Sequence, residues 1–151
     1  MAIVISEEDP EQEQVQAMLA DSDRFYHSLY PAESNHLLDV ELLKRSGTTF
    51  LVASSDGLVR GFGAVVDCGG EYGEIKRMYV APTARQMGLG RMILEELEKR
   101  ARICGLPLMR LETGIRQPAA IELYRSAGYV ETQPFGSYEL DPLSIFMEKK
   151  L

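Results

Sequence analysis

Apolar positions along this chain switch between two periods, and the switching predicts the elements. "AIVIS" near the start reads as a short strand. "PEQEQVQAMLADSDRFYHSLY" has Val15, Met18 and Leu19 on one helical face, with Pro10 placed for a first turn. "PAESNHLLDVELLKRSG" reads as a second helix, with Leu38, Leu42 and Leu43 apolar and Gly47 as its stop. "TTFLVASSDGLVRGFGAVVD" reads as a hairpin turning at "SSDG", and "GEIKRMYVAP" as a further strand ended by Pro82. The clearest helix is "LGRMILEELEKRARICG". Its Leu89, Met92, Ile93, Leu97 and Ala101 keep the three-four spacing, and Gly105 follows its end. "LPLMRLET" is a strand, "QPAAIELYRSAG" a shorter helix opened by Pro118 and closed by Gly128, and "SIFMEKK" a last strand. Strands with helices between them give a mixed α/β (α+β) domain, and with no linker or repeat the expectation is one domain over 1–151.

Length and composition agree with this. A chain of 151 residues, 45% hydrophobic and 26% charged, can bury one sizeable core. No apolar run approaches the roughly 20 residues of a membrane helix. The start, "MAIVISEEDPEQEQ", has no basic region and turns acidic at once, so no signal peptide and a cytoplasmic location are expected. Cys68 and Cys104 form neither a disulfide framework nor a metal spacing and read as reduced thiols, and His27 and His36 are not spaced as a metal pair, so no metal is expected.

Charge adds one detail. The net charge of −7 argues against nucleic acid as a partner. Residues 1–70 hold 4 basic against 12 acidic residues and 111–151 hold 4 against 6, but 71–110 hold 8 against 5. The basic segment contains "YVAPTARQMGLGRMIL", where a strand runs through a short loop into the clearest helix. Exposed amides at a helix start carry partial positive charge, and residues without a Cβ let an anion approach them. Gly88 and Gly90, with Arg85 and Arg91 beside them, suit a phosphate or pyrophosphate; the same glycines also suit a loop that only needs to pack tightly. The segment lacks the G-K-[ST] of a P-loop and the three glycines of a dinucleotide fingerprint.

"EIKRMYVAPTARQMGLGRMILEEL" resembles motif A of the GNAT N-acetyltransferase superfamily, [QR]-x-x-G-x-[GA] between a strand and a long helix, with Arg85, Gly88 and Gly90 in place. "QPAAIELYRSAGY" resembles its motif B, N-x-x-A-x-x-x-Y-x-x-x-G-[FY], through Ala120, Tyr124, Gly128 and Tyr129. The resemblance implies the GNAT fold, a mixed sheet of six to seven strands flanked by about four helices. It implies acetyl-CoA as co-substrate, no metal, and transfer of the acetyl group to a primary amine of a small molecule or peptide in a ternary complex.

By the same resemblance the pyrophosphate lies on the loop amides of Arg85, Gln86, Met87, Gly88, Leu89 and Gly90, near Arg91. The pantetheine arm lies along the strand at Met78, Tyr79 and Val80, which splays from the next strand, and reaches Gln117 and Ala120. Tyr124 falls where many members aim a tyrosine at the sulfur, as acid to the departing thiolate, and this role is preferred to the alternative of a half-buried aromatic that anchors its helix. Glu74 lies sixteen residues before Gly90, where the family's histone acetyltransferases carry a catalytic glutamate; many members deprotonate through water instead. A backbone amide of the same strand, at Val80, would donate to the thioester oxygen. Two departures stand out: Gln117 replaces the usual Asn, and Gln86 a frequent Gly, so position 86 is expected to adopt a backbone conformation open to a side chain.

Acceptor choice in the family comes from the N-terminal helices and the loop before the last strand. Here these are "FYHSLYPAESNHLLDVE" and "TQPFGSYELDP", which also resemble a bacterial group of small GNAT proteins. Tyr30, Glu33, His36 and Tyr138, with Tyr26, Phe135, Glu139 and Asp141 around them, would set carboxylates beside aromatic walls for a cationic amine. Dimers are frequent in the family, so a homodimer is a further expectation. A non-catalytic acetyl-CoA-binding module and a longer acyl donor are the alternatives.

Overall fold

The computed structural model describes residues 2–34 and 39–151, with Glu33 by its backbone only. Seven strands form one sheet: β1 (Val4–Glu7), β2 (Thr48–Ser55), β3 (Leu58–Cys68), β4 (Tyr72–Val80), β5 (Leu108–Gly114), β6 (Val130–Thr132) and β7 (Ser144–Lys150). Four α-helices accompany them: α1 (Glu13–Leu29), α2 (Val40–Leu43), α3 (Leu89–Ile103) and α4 (Pro118–Ser126). The strand order is β1-β2-β3-β4-β5-β7-β6, antiparallel throughout except for the central β4–β5 pair.

The sheet separates two apolar clusters. Leu89, Ile93, Leu94, Leu97 and Ala101 of α3 are buried, and with Tyr124 of α4 they join the cluster that holds Ile75, Met109 and Leu111. On the other face Val15 and Leu19 of α1 and Leu43 of α2 pack on Phe50, Val52, Phe62 and Tyr79. Each large apolar side chain so buried contributes about 1.5–3 kcal/mol.

The hairpin, α3 and α4 lie where their patterns put them. The turn Asp56–Gly57 has φ of 52° and 74°, the left-handed pair that matches strand twist. Three expectations are corrected. Pro10 precedes α1, whose N-cap is Gln12. The second helix is broken: a 3-10 turn covers Ala32–Ser34, Leu38 lies outside the described residues, and α2 spans only Val40–Leu43. The cause is Asp39, whose backbone is extended and whose carboxylate accepts the Leu42 amide at 3.0 Å, so that it starts a helix of its own. Third, β6 is a strand that its three residues did not announce.

The β4–β5 pair positions the site. The two strands pair only through Gly73↔Met109, Glu74↔Arg110 and Ile75↔Leu111, and beyond Ile75 they part. At that point β4 carries a bulge: its register against β3 slips between Phe62 and Ala64, and Arg77 has φ of 59°. A non-glycine residue in that region costs about 1–3 kcal/mol and persists only where its surroundings hold it. The Arg77 guanidinium is buried against α1, where it donates to the Ser22 hydroxyl at 3.1 Å and pairs with the Asp23 carboxylate.

Candidate functional site

The parting strands enclose a cavity of about 390 Å³. Residues 75–80 of β4 form one wall and Glu112, Thr113 and Gly114 of β5 the other. Tyr26 of α1, Tyr30 just past its end, and Ala120, Leu123 and Tyr124 of α4 close its sides, and Arg85 and Gly90 stand at one end.

That end is the glycine loop. Gly88 is the N-cap of α3, has φ of 76°, and provides no side-chain cap, so the first amides of α3 have no acceptor from a capping side chain. Gln86 also takes a left-handed φ, of 70°. This corrects the expectation for Gln86: the chain puts a side chain into a conformation that favours glycine. Successive amides in a turn of this kind can form an anion-binding concavity. A Cβ at Gly88 would meet nothing within 4 Å, so that glycine is required by its backbone angle; a Cβ at Gly90 would lie 3.1 Å from Leu123, so that one lets α3 and α4 approach. The loop therefore fits a bound diphosphate. Arg85 lies beside it, its Nε donating to the Val80 carbonyl at 3.3 Å and its guanidinium over the Phe25 and Tyr79 rings. Arg91 instead reaches across to the Ser126 hydroxyl. Leu89 is buried and contributes only its main chain, and Met87 completes the loop.

The main-chain groups of β4 expected to serve a ligand point into the gap, but side chains already meet them. The Met78 carbonyl accepts the Tyr26 hydroxyl at 3.0 Å, and the Val80 carbonyl accepts Arg85. Gln117 lines the cavity with its amide engaged: its Oε1 accepts the Tyr30 hydroxyl at 3.2 Å and the Gly114 amide at 3.3 Å. The Arg116 amide in turn donates to the Tyr30 oxygen at 3.1 Å. A Cβ at Gly114 would run into the Tyr30 ring, so glycine is what admits that tyrosine.

Tyr124 is buried and packs edge-on against Tyr129, 5.8 Å between ring centroids. Its hydroxyl has no hydrogen-bond partner among the described residues, and burial raises its pKa above the ordinary tyrosine value, so it is a neutral O–H donor beside the cavity.

Glu74 lies elsewhere. The described lining of the cavity does not include it, and its carboxylate accepts the Tyr138 hydroxyl at 2.6 Å and pairs with Lys76 at 3.3 Å. The Lys76 ammonium also donates to the Tyr138 oxygen. Tyr138, expected on the acceptor side, is a partner of Glu74 and is not among the described residues that line the cavity, and its own pKa is raised by burial and then by Glu74. Tyr30 does line the cavity; His36 and the side chain of Glu33 lie outside the described residues. Among the described residues the charged groups that line this side are Lys76, Glu112 and Arg116. Sequence reasoning passed over all three, although Arg110 and Glu112 alternate with the buried Met109 and Leu111 in "LMRLE", which marks a polar face.

Both cysteines are free thiols, and the described residues contain neither a cluster of three metal-ligating side chains nor a helix long and apolar enough to cross a membrane.

A model of the acetyltransferase (GNAT) family matches residues 15–129. The IAA acetyltransferase of Azospirillum brasilense is 49% identical over 150 residues, which is 99% of this chain and 98% of the relative. Among solved structures, a Klebsiella pneumoniae protein described as an acyl-CoA N-acyltransferase superposes with a TM-score of 0.83 at 35% identity, covering 99% of this chain and 97% of its own. The PaiA N-acetyltransferase of Thermoplasma acidophilum, solved in complex with coenzyme A, gives a TM-score of 0.80 at 22% identity over the full length of both chains, a likeness of fold.

Proposed function

The chain belongs to the acetyltransferase (GNAT) family, and from that premise we propose that its loop and cavity hold acetyl-CoA and deliver the acetyl group to a primary amine of a small molecule or peptide. One observation carries the reading: a single cavity runs from Arg85 and Gly90, beside the uncapped amides of α3, to the hydroxyl of Tyr124, which has no hydrogen-bond partner among the described residues. The Thermoplasma neighbour of the same fold, solved with coenzyme A, supports it.

Bound there, acetyl-CoA supplies an activated acyl group as a thioester. The residues of this chain do the rest. Amides of the loop between Arg85 and Gly90 take the diphosphate, where helix-start dipoles favour negative charge. The edge of β4 at Met78, Tyr79 and Val80 aligns the arm, which adds to the strand as another strand would. For that the Met78 and Val80 carbonyls exchange Tyr26 and Arg85 for ligand amides. A β4 amide, that of Val80, donates to the oxygen that gains charge. Tyr124, kept protonated by burial, gives its proton to the departing sulfur. The acceptor nitrogen, an ammonium below a pKa of about 10, must also lose a proton.

The test is release of free CoA thiol from acetyl-CoA with a panel of free amino acids, polyamines and short peptides. Turnover on at least one amine is expected. Coenzyme binding with no turnover on any of them would make the protein a non-catalytic sensor, and turnover confined to longer acyl donors would change the donor.

A further inference from the structure

We propose that Glu112 is the catalytic base that takes the proton from the acceptor amine. This rests on the acetyltransferase reading above. The argument is one of placement. A base for this proton must lie where a nitrogen in the cavity can reach it, within hydrogen-bond distance or through one water. Glu74 does not meet that need, because its carboxylate is held by Tyr138 and Lys76 and it is not among the described residues that line the cavity. Glu112 meets it from β5, directly across the gap that opens past Ile75, and is the one carboxylate among the described lining residues.

Its orientation is fixed. The Ser144 hydroxyl donates to Oε2 at 2.7 Å from the neighbouring strand β7. A base aimed by a second group is the arrangement that nucleophile activation requires. Base and acid also share one region: the negative charge of Glu112 helps to raise the pKa values of Tyr124 and Tyr30, after burial, which is the larger cause for both. Among the described residues the other charged and titrating groups around it are Lys76 and Arg77 of β4, Arg116 past β5, and the phenols of Tyr30, Tyr124 and Tyr138.

The protons balance. The ammonium gives one proton to Glu112, and the freed lone pair forms the C–N bond as the C–S bond breaks. Tyr124 protonates the sulfur and recovers a proton, through solvent, from the nitrogen that becomes the amide. Glu112 then releases its proton to water. The products are the N-acetyl amide, CoA thiol and one proton.

The experiment compares wild type, Glu112→Gln and Glu112→Asp on the best acceptor of the amine panel, with the acetyl-CoA Kd measured for each. The glutamine protein is expected to bind acetyl-CoA within about twofold of wild type and to turn over about a hundredfold or more slowly near neutral pH. Its rate should then climb about tenfold per pH unit toward the amine pKa, because a free amine needs no base, while wild type is flatter. The aspartate protein, should the glutamine one fail to fold, is expected to keep the wild-type profile at reduced rate. A merely structural role would not produce rescue by alkali. Unchanged turnover in Glu112→Gln, or the same alkaline rescue in Glu74→Gln but not in Glu112→Gln, overturns the proposal while leaving the acetyltransferase reading intact. Absence of turnover by wild type overturns both.

Discussion

The hydroxyl of Tyr26, on α1, donates to the carbonyl of Met78, on β4, at 3.0 Å across the gap where β4 has left β5. The contact fills an edge position that a sheet would otherwise give to the next strand. Burial pushes the Tyr26 pKa up to about 12, so at neutral pH the hydroxyl keeps the proton that it donates. One helix therefore supports the opening twice, through Tyr26 here and through Ser22 and Asp23 on Arg77 one turn earlier.

Tyr26→Phe should expose that carbonyl to an incoming amide while keeping the ring that packs on Phe25. A hydrogen bond contributes about 0.5–1.5 kcal/mol net, so removing the competitor should tighten coenzyme A binding about two- to tenfold. Calorimetric titration with coenzyme A measures this directly. Weaker binding would mean that Tyr26 itself belongs to the ligand's contacts.

Tyr124→Phe should separate binding from chemistry. The ring stays in the cluster with Tyr129, and only a hydroxyl without a protein partner among the described residues is lost. Turnover should fall well over tenfold with the acetyl-CoA Kd held within about twofold, since a group acting only as the bond breaks leaves ground-state binding alone. Steady-state rates set beside a binding isotherm show the split, and a full rate in the variant would leave Tyr124 with an anchoring role alone.

Gly88→Val tests the loop. Its φ of 76° is open to glycine and expensive for a β-branched residue. A Cβ there meets no protein atom within 4 Å, so the damage must come from the backbone angle and from the ligand side. Coenzyme binding should be lost and the fold retained, with stability lowered by about 1–2 kcal/mol. Micromolar coenzyme binding by a folded Gly88→Val protein would place the diphosphate somewhere else.

What could be read from the chain beforehand was whatever local spacing decides. The three-four repeat from Leu89 to Ala101 gave α3, "SSDG" gave the hairpin turn, and the pair of motifs gave the loop and Tyr124. The reading failed where a single residue or a distant strand decides. Asp39 caps a helix of its own and so divides a stretch patterned as one. Arg77 and Gln86 take left-handed angles that no glycine announces. Glu112 reaches the cavity only because a bulge four residues past Gly73 ends the β4–β5 pairing, and no periodicity within "LPLMRLET" contains that fact. For the same reason Glu74, at the expected spacing, lies on the paired side of the split, against Tyr138.

The tyrosines packed in the interior also fix the behaviour of the fold in alkali. Burial raises Tyr26 to about 12 and raises Tyr124 and Tyr129, the last further through its 2.8 Å hydrogen bond to the buried Glu98. In the unfolded chain each would ionise near about 10. Above that pH the unfolded state has lost protons that the folded state keeps, so the unfolded state binds fewer protons and stability falls as pH rises. The contribution is intact below about pH 10 and is lost as pH climbs through the folded values, at about 1.4 kcal/mol per pH unit for each such group. Thermal unfolding midpoints should therefore be level from about pH 8 to pH 10 and then drop steeply. Phenolate absorbance followed in parallel should rise in two stages, first from the more exposed tyrosines and then together with unfolding. A single smooth titration with the fold still intact at its end would show that Tyr26, Tyr124 and Tyr129 ionise in place, and that the packing around Tyr124 is wetter than its burial implies.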